Sequence, residues 1–159
     1  MRPVSDFIIK PSGGKRYNNS VEVGNIDLIL NTEIFNHQYI NRVGIIHSTP
    51  IYNPMGLVEG SEVVVHHNVF RRWHDVKGRV KNSRSFLNED EYLVSQDQIF
   101  MCKTDGNWNA MPGYTFVKPI KSQDKYSLTP ERPLIGVVKY SDGSFLPTQL
   151  VGFRPSSEF

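Results

Sequence analysis

The sequence predicts an all-β fold, on three observations. Its apolar segments are short and rich in β-branched residues, Gly, Pro, Asn and Asp separate them, and no long stretch carries a 3.6-residue apolar period. "FIIK" from Phe7, "IDLIL" from Ile26, "RVGIIH" from Arg42 and "EVVVHHNVF" from Glu62 read as strands. So do "EYLVS" from Glu91, "QIFMCK" from Gln98, "YTFVKPI" from Tyr114 and "LIGVVKY" from Leu134. Short strands at this spacing build barrels and sandwiches. Most of the 12 Gly and 10 Pro fall between the strands, where turns need them.

Composition narrows the function classes. A chain of 159 residues with 38% hydrophobic content suffices for one ordinary domain or two small ones. Its 18 Lys and Arg against 16 Asp and Glu leave a net charge of +2, too balanced to demand a polyanionic partner. Cys102 is the single cysteine, which excludes an internal disulfide and a thiolate cluster and fits a reducing, cytoplasmic setting. No window approaches ~18 uninterrupted apolar residues, and "MRPVSDFIIKPSGGKR" has neither the apolar core nor the small-residue cleavage site of a signal peptide. A membrane is not expected as partner.

Three blocks recur in order. "DFIIKP" (Asp6 to Pro11) resembles "TFVKP" (Thr115 to Pro119), "RVGIIHS" (Arg42 to Ser48) resembles "LIGVVKYS" (Leu134 to Ser141), and "GSEVVVHHN" precedes its counterpart "TQLVGFRPSSEF" in the same order. The chain therefore reads as a first β unit over 1–105, a linking turn over 106–113 and a partial second copy over 114–159. The strands in "EYLVSQDQIFMC" have no counterpart in the second copy, which leaves it a sheet edge and an apolar face to be covered by more chain or another surface.

Candidate sites are few. His66 and His67 invite a metal reading, but successive side chains of a strand point to opposite faces, so the expectation is packing and no metal site. "RRWHDVKGRVKNSR" (Arg71 to Arg84) has the composition of a phosphate-tracking loop around a stacking Trp73. The acids of the following "LNEDEY" favour a solvated hairpin instead. No Gly-rich phosphate loop or nucleophile elbow is present, and Cys102 lies in the apolar run "IFMCK", where a buried, inert thiol is expected. Neither an enzyme nor a cofactor is expected. Lys10 to Asn41 is polar and Gly-rich at its start, then carries Ile26, Leu28, Ile29, Leu30, Ile34 and Phe35. Such a segment is a partner-binding loop or a barrel strand, and the alternation of Ile26, Leu28 and Leu30 supports the strand.

Taken together, the first ~105 residues resemble the small co-chaperonin (GroES-like) family, in the lengthened form found among bacteriophages. "MRPVSDFIIKP" is similar to the family's opening strand, "RVGIIHSTP" to the strand after its mobile loop, "VEGSEVVVHH" to its Gly-Asp-x-Val strand with Ser61 for Asp, and "NEDEYLVSQDQIFMC" to its closing pair. The resemblance implies a partly closed GroES-like β-barrel and a homo-oligomeric, heptameric ring. It implies a large GroEL-like chaperonin as partner, in the host cytoplasm for a phage protein. It places the mobile loop at about 11–41 and its docking tripeptide at Leu28, Ile29 and Leu30, with Ile34, Phe35, Tyr126 and Leu128 as possible secondary contacts. Phage members are thought to adapt the host chamber to capsid protein folding. Competing readings are a phage β-barrel assembly module without a chaperonin partner and an oligonucleotide-binding barrel.

Overall fold

A computed structural model describes residues 2–24, 26–30, 32, 34, 36–88, 90–122 and 131–155. The fold is all-β, as the strand punctuation predicts, and divides into two compact units, Met1–Thr104 and Asp105–Phe159.

The first unit holds β1 (Phe7–Pro11), β2 (Ser20–Val23), β3 (Ile26–Ile29), β4 (Val43–Ser48), β5 (Glu62–Val65), β6 (Arg72–His74), β7 (Val80–Asn82), β8 (Tyr92–Val94) and β9 (Ile99–Thr104). Its main sheet runs β9-β5-β4-β1-β8, antiparallel throughout. β2 with β3 and β6 with β7 form separate two-stranded sheets. Among the described residues no pairing joins β9 to β8, so the sheet does not close into a barrel.

One face of the main sheet makes the core. Phe7, Ile9, Ile46, Val63, Val65, Tyr92, Val94 and Ile99 are fully buried, and Val69 and Phe70 from the turn after β5 cover them. Phe70 meets Tyr92 edge to face at 4.8 Å, and the Arg16 guanidinium lies 5.3 Å from the Tyr92 ring centre. Gly44 is required beneath this cluster: a Cβ there would collide with Ile9 Cγ2 and stand 3.3 Å from Phe70 Cζ.

The second unit holds β10 (Asn107–Ala110), β11 (Thr115–Lys121), β12 (Glu131–Ser141) and β13 (Leu150–Gly152). β10 occupies part of the segment that the sequence assigns to a linking turn. Asp105 (φ 51) and Gly106 (φ 80) supply the paired positive φ of a type I′ turn between β9 and β10.

The β11-β12-β13 sheet repeats the first unit register for register. Pro11↔Gly44, Lys10↔Ile45 and Ile9↔Ile46 in β1–β4 correspond to Pro119↔Gly136, Lys118↔Val137 and Val117↔Val138 in β11–β12. Both ladders then bulge at the same place, passing to Ile8↔Ser48 and Phe116↔Tyr140, so His47 and Lys139 are the equivalent extra residues. Gly44↔Val63 matches Gly136↔Val151. The Ile46 amide donates to Ser61 O and its carbonyl accepts from Gly60, as Val138 does with Gln149 and Thr148. Thr148 even copies the left-handed conformation of Gly60 (φ 68 against 85), which a β-branched residue seldom adopts. Gly136 carries the same steric demand as Gly44, since a Cβ would lie 2.9 Å from Val117 Cβ.

Candidate functional site

Residues 11–41 are organised around an exposed β-hairpin. β2 and β3 pair through Ser20↔Ile29, Val21↔Leu28, Glu22↔Asp27 and Val23↔Ile26, and Gly24, at φ 66, follows β2. Leu30 extends the ladder by donating its amide to Asn19 O at 2.7 Å. Directly paired residues share a face and alternate residues return to it, so Val21, Val23, Ile26 and Leu28 make one continuous aliphatic face. Their exposures are 47, 61, 70 and 53%. Ser20, Glu22 and Ile29 occupy the other face.

Leu28 and Ile29, which the resemblance places in one docking tripeptide, lie on opposite faces of this hairpin. Ile29 is 63% exposed but turned from Leu28, whose face companions lie across the turn. The hairpin also answers the choice between loop and barrel strand. Residues 26–29 are a strand, but among the described residues it pairs only with β2 and lies outside the main sheet.

The neck of the hairpin is fastened to the first unit by polar contacts that are buried and satisfied. The Tyr17 hydroxyl donates to Ile34 O at 3.0 Å and accepts from the Arg72 amide at 2.8 Å. Asn41, 3% exposed, donates to Ser12 O and Lys15 O, both at 2.9 Å, and accepts from the Val43 amide. The Asn18 amide donates to Tyr39 O, and Tyr17 bridges Ile40. The aliphatic face is therefore presented from a fixed base. Ile34 is half-buried at that base. Phe35, Tyr126 and Leu128 lie outside the described residues.

The histidine pair departs from expectation. β5 ends at Val65, so strand alternation does not govern His66 and His67, whose rings stack at 4.2 Å with an interplanar angle of 29°. His37 meets His67 edge-on at 4.9 Å. Among the described residues no group of three or more His, Cys, Asp or Glu side chains is placed to hold a metal ion. Burial, then His66, His37 and the guanidiniums of Arg42 and Arg71, push His67 down to about 4 from 6.5. The folded state thus binds fewer protons than the unfolded chain between these values. Stability is unaffected by this group above pH 6.5, falls as pH drops toward 4, and levels off below. His67→Gln is expected to flatten thermal melting against pH in this window, and an unchanged slope would contradict the assignment. Asp142, held at about 2 by hydrogen bonds from the Ser144 hydroxyl and the Gly113 and Ser144 amides, acts only below this range.

The basic run forms the expected hairpin. Asp75 Oδ1 accepts from the Lys77 and Arg79 amides at 2.9 Å, and Lys81 reaches Asp75 at 3.9 Å. Arg72 lies 5.4 Å from the Tyr17 ring centre, so part of the positive charge serves the neck. Trp73, 43% exposed, shares a shallow groove of about 340 Å³ with Arg71 and Arg84. Cys102 is half-buried, not buried, with Sγ 3.8 Å from Thr104 Oγ1.

No family model matches the chain, and no curated protein or solved structure does. No helix among the described residues is long and apolar enough to cross a membrane.

Proposed function

We propose that this chain is a co-chaperonin subunit that assembles into a ring and caps a large ATP-dependent chaperonin, docking through the β2–β3 hairpin. One observation carries the reading: a four-residue aliphatic face, 47 to 70% exposed, on a hairpin that is fastened at its neck and lies outside the main sheet. Such a face has little reason to remain in water unless a partner covers it. Burial of each side chain contributes at most roughly 1.5 to 3 kcal/mol, from which the freedom lost on association is subtracted. Individual docking is then weak and reversible. A ring converts weak docking into firm capping through avidity, and release follows when the partner's sites rearrange together. The chaperonin's ATP hydrolysis drives that cycle, and the cap needs no catalytic group.

The test combines particle mass with co-sedimentation. The protein is expected to sediment as a ring-sized oligomer at micromolar concentration and to pellet with a large bacterial chaperonin ring only in the presence of nucleotide. A strict monomer that never accompanies the chaperonin would refute the reading.

A further inference from the structure

The two units share a register but not a complement of strands. In the first unit, β8 covers the outer edge of β1 through Phe7↔Val94, Ile8↔Leu93 and Ile9↔Tyr92. Among the described residues the corresponding edge of β11, at Thr115, Phe116 and Val117, has no neighbour. Burial follows the pairing: Phe7, Ile8 and Ile9 are 0 to 2% exposed, while their three counterparts are only half-buried.

What covers the edge in the first unit defines what the second unit lacks. Tyr92 sits opposite Ile9 and packs edge to face on Phe70, whose ring stands over Gly44. Over the equivalent surface of the second unit lies an apolar groove of about 320 Å³, lined by Val117, Pro119, Pro133, Leu134, Ile135 and Phe153, with Glu131 and Arg132 its charged members. The residue before Tyr92 is Glu91, whose Oε1 is 3.7 Å from Lys10 Nζ and 3.3 Å from His47 Nε2. Lys118 stands at the position of Lys10, and Lys139 at the bulge position of His47. Both are exposed, and among the described residues neither has an acidic partner; Lys139 Nζ lies 5.3 Å from the Tyr140 ring centre.

We propose that β11 accepts an antiparallel strand from a partner protein, an extended segment in which an acidic residue immediately precedes an aromatic one. Backbone pairing to residues 115–117 supplies the register, the aromatic ring enters the apolar groove opposite Val117, and the acid is held between Lys118 and Lys139. Two lysines, where the first unit has one lysine and one histidine, set two ammonium groups beside the acid.

The probe is a capped heptapeptide, Asp-Glu-Tyr-Leu-Val-Ser-Gln, the sequence of residues 90–96, titrated into the whole protein. Saturable binding is expected with Kd of about 10 to 500 µM, with amide shifts centred on residues 115–117. Replacing the peptide's Glu by Gln is expected to weaken binding about five- to tenfold. The protein variant Lys118→Ala/Lys139→Ala should show the same loss and no further response to the peptide change, as coupled partners require. Replacing the peptide's Tyr by Ala should abolish binding. Absence of saturable binding at millimolar peptide, or binding indifferent to the two lysines, overturns the proposal. An oligomer of the protein that dissociates in Lys118→Glu/Lys139→Glu would assign the edge to a second copy and overturn the choice of partner. No chaperonin enters the measurement, so its outcome is separate from that of the capping test.

Discussion

The double variant Ile26→Thr/Leu28→Thr is expected to lose chaperonin capping while melting within roughly 4 °C of the parent protein. Threonine is β-branched, which suits a strand, and it removes aliphatic surface only from the face shared with Val21 and Val23. Ile26 and Leu28 are 70 and 53% exposed, so the folded state owes them little. Docking owes them more: completing their burial contributes about 1 kcal/mol each, or about thirtyfold per subunit for the pair. Repeated around a ring, that loss ends capping. Ile29→Thr is the control. It lies on the opposite face, and its capping is expected to remain near normal, whereas a contiguous Leu28, Ile29, Leu30 anchor would make it as damaging as Leu28→Thr. Co-sedimentation of the three proteins with chaperonin and nucleotide separates the two arrangements.

Phe70→Ala should have the opposite signature, a collapse of stability. The ring is fully buried, packs edge to face on Tyr92 and stands against the backbone at Gly44, so no side chain can relax into the space it leaves. A large aromatic deleted from such a site costs about 3 to 5 kcal/mol, a large share of the stability of a domain this size. The melting temperature of the first unit should fall by more than about 12 °C. A fall of less than about 4 °C would show that the Phe70–Tyr92 pair is not the centre of the core.

Most strands of both main sheets were legible because they carry apolar, largely β-branched runs between turn residues, whereas β13, with the sequence Leu-Val-Gly, stood out only as part of a repeated block. The repeat was legible too, and pairings such as Pro11↔Gly44 and Pro119↔Gly136 give it a physical basis: a glycine must face the strand bearing the proline, or a Cβ strikes its neighbours. The exposed aliphatic face of the hairpin was only half legible. Ile26, Leu28 and Leu30 alternate visibly, but the partner strand Ser20–Val23 is short and carries Glu22, so its apolar pair does not stand out. Gly24 is the signal that finds the hairpin, since a glycine after a short run of alternating residues permits the positive φ of a tight turn. Strand alternation does not reach His66 and His67, because the Val69 amide donates to His66 O and turns the chain where β5 ends. Glu62 to Val65 runs into the doublet with no Gly or Pro to mark that boundary.

The equivalent ladders also differ in how much chain they enclose. Pro11 and Gly44 are 33 positions apart (44 − 11), whereas Pro119 and Gly136 are 17 apart (136 − 119). Closing a loop of half the length costs about 0.6 kcal/mol less in chain entropy. Among the described residues the second sheet has no counterparts of the strands that flank and bury the first, yet it asks less of the unfolded chain to bring its edges into register. The shorter connection offsets part of that difference, and the exposed hairpin of the first unit is the feature whose residues lengthen the other.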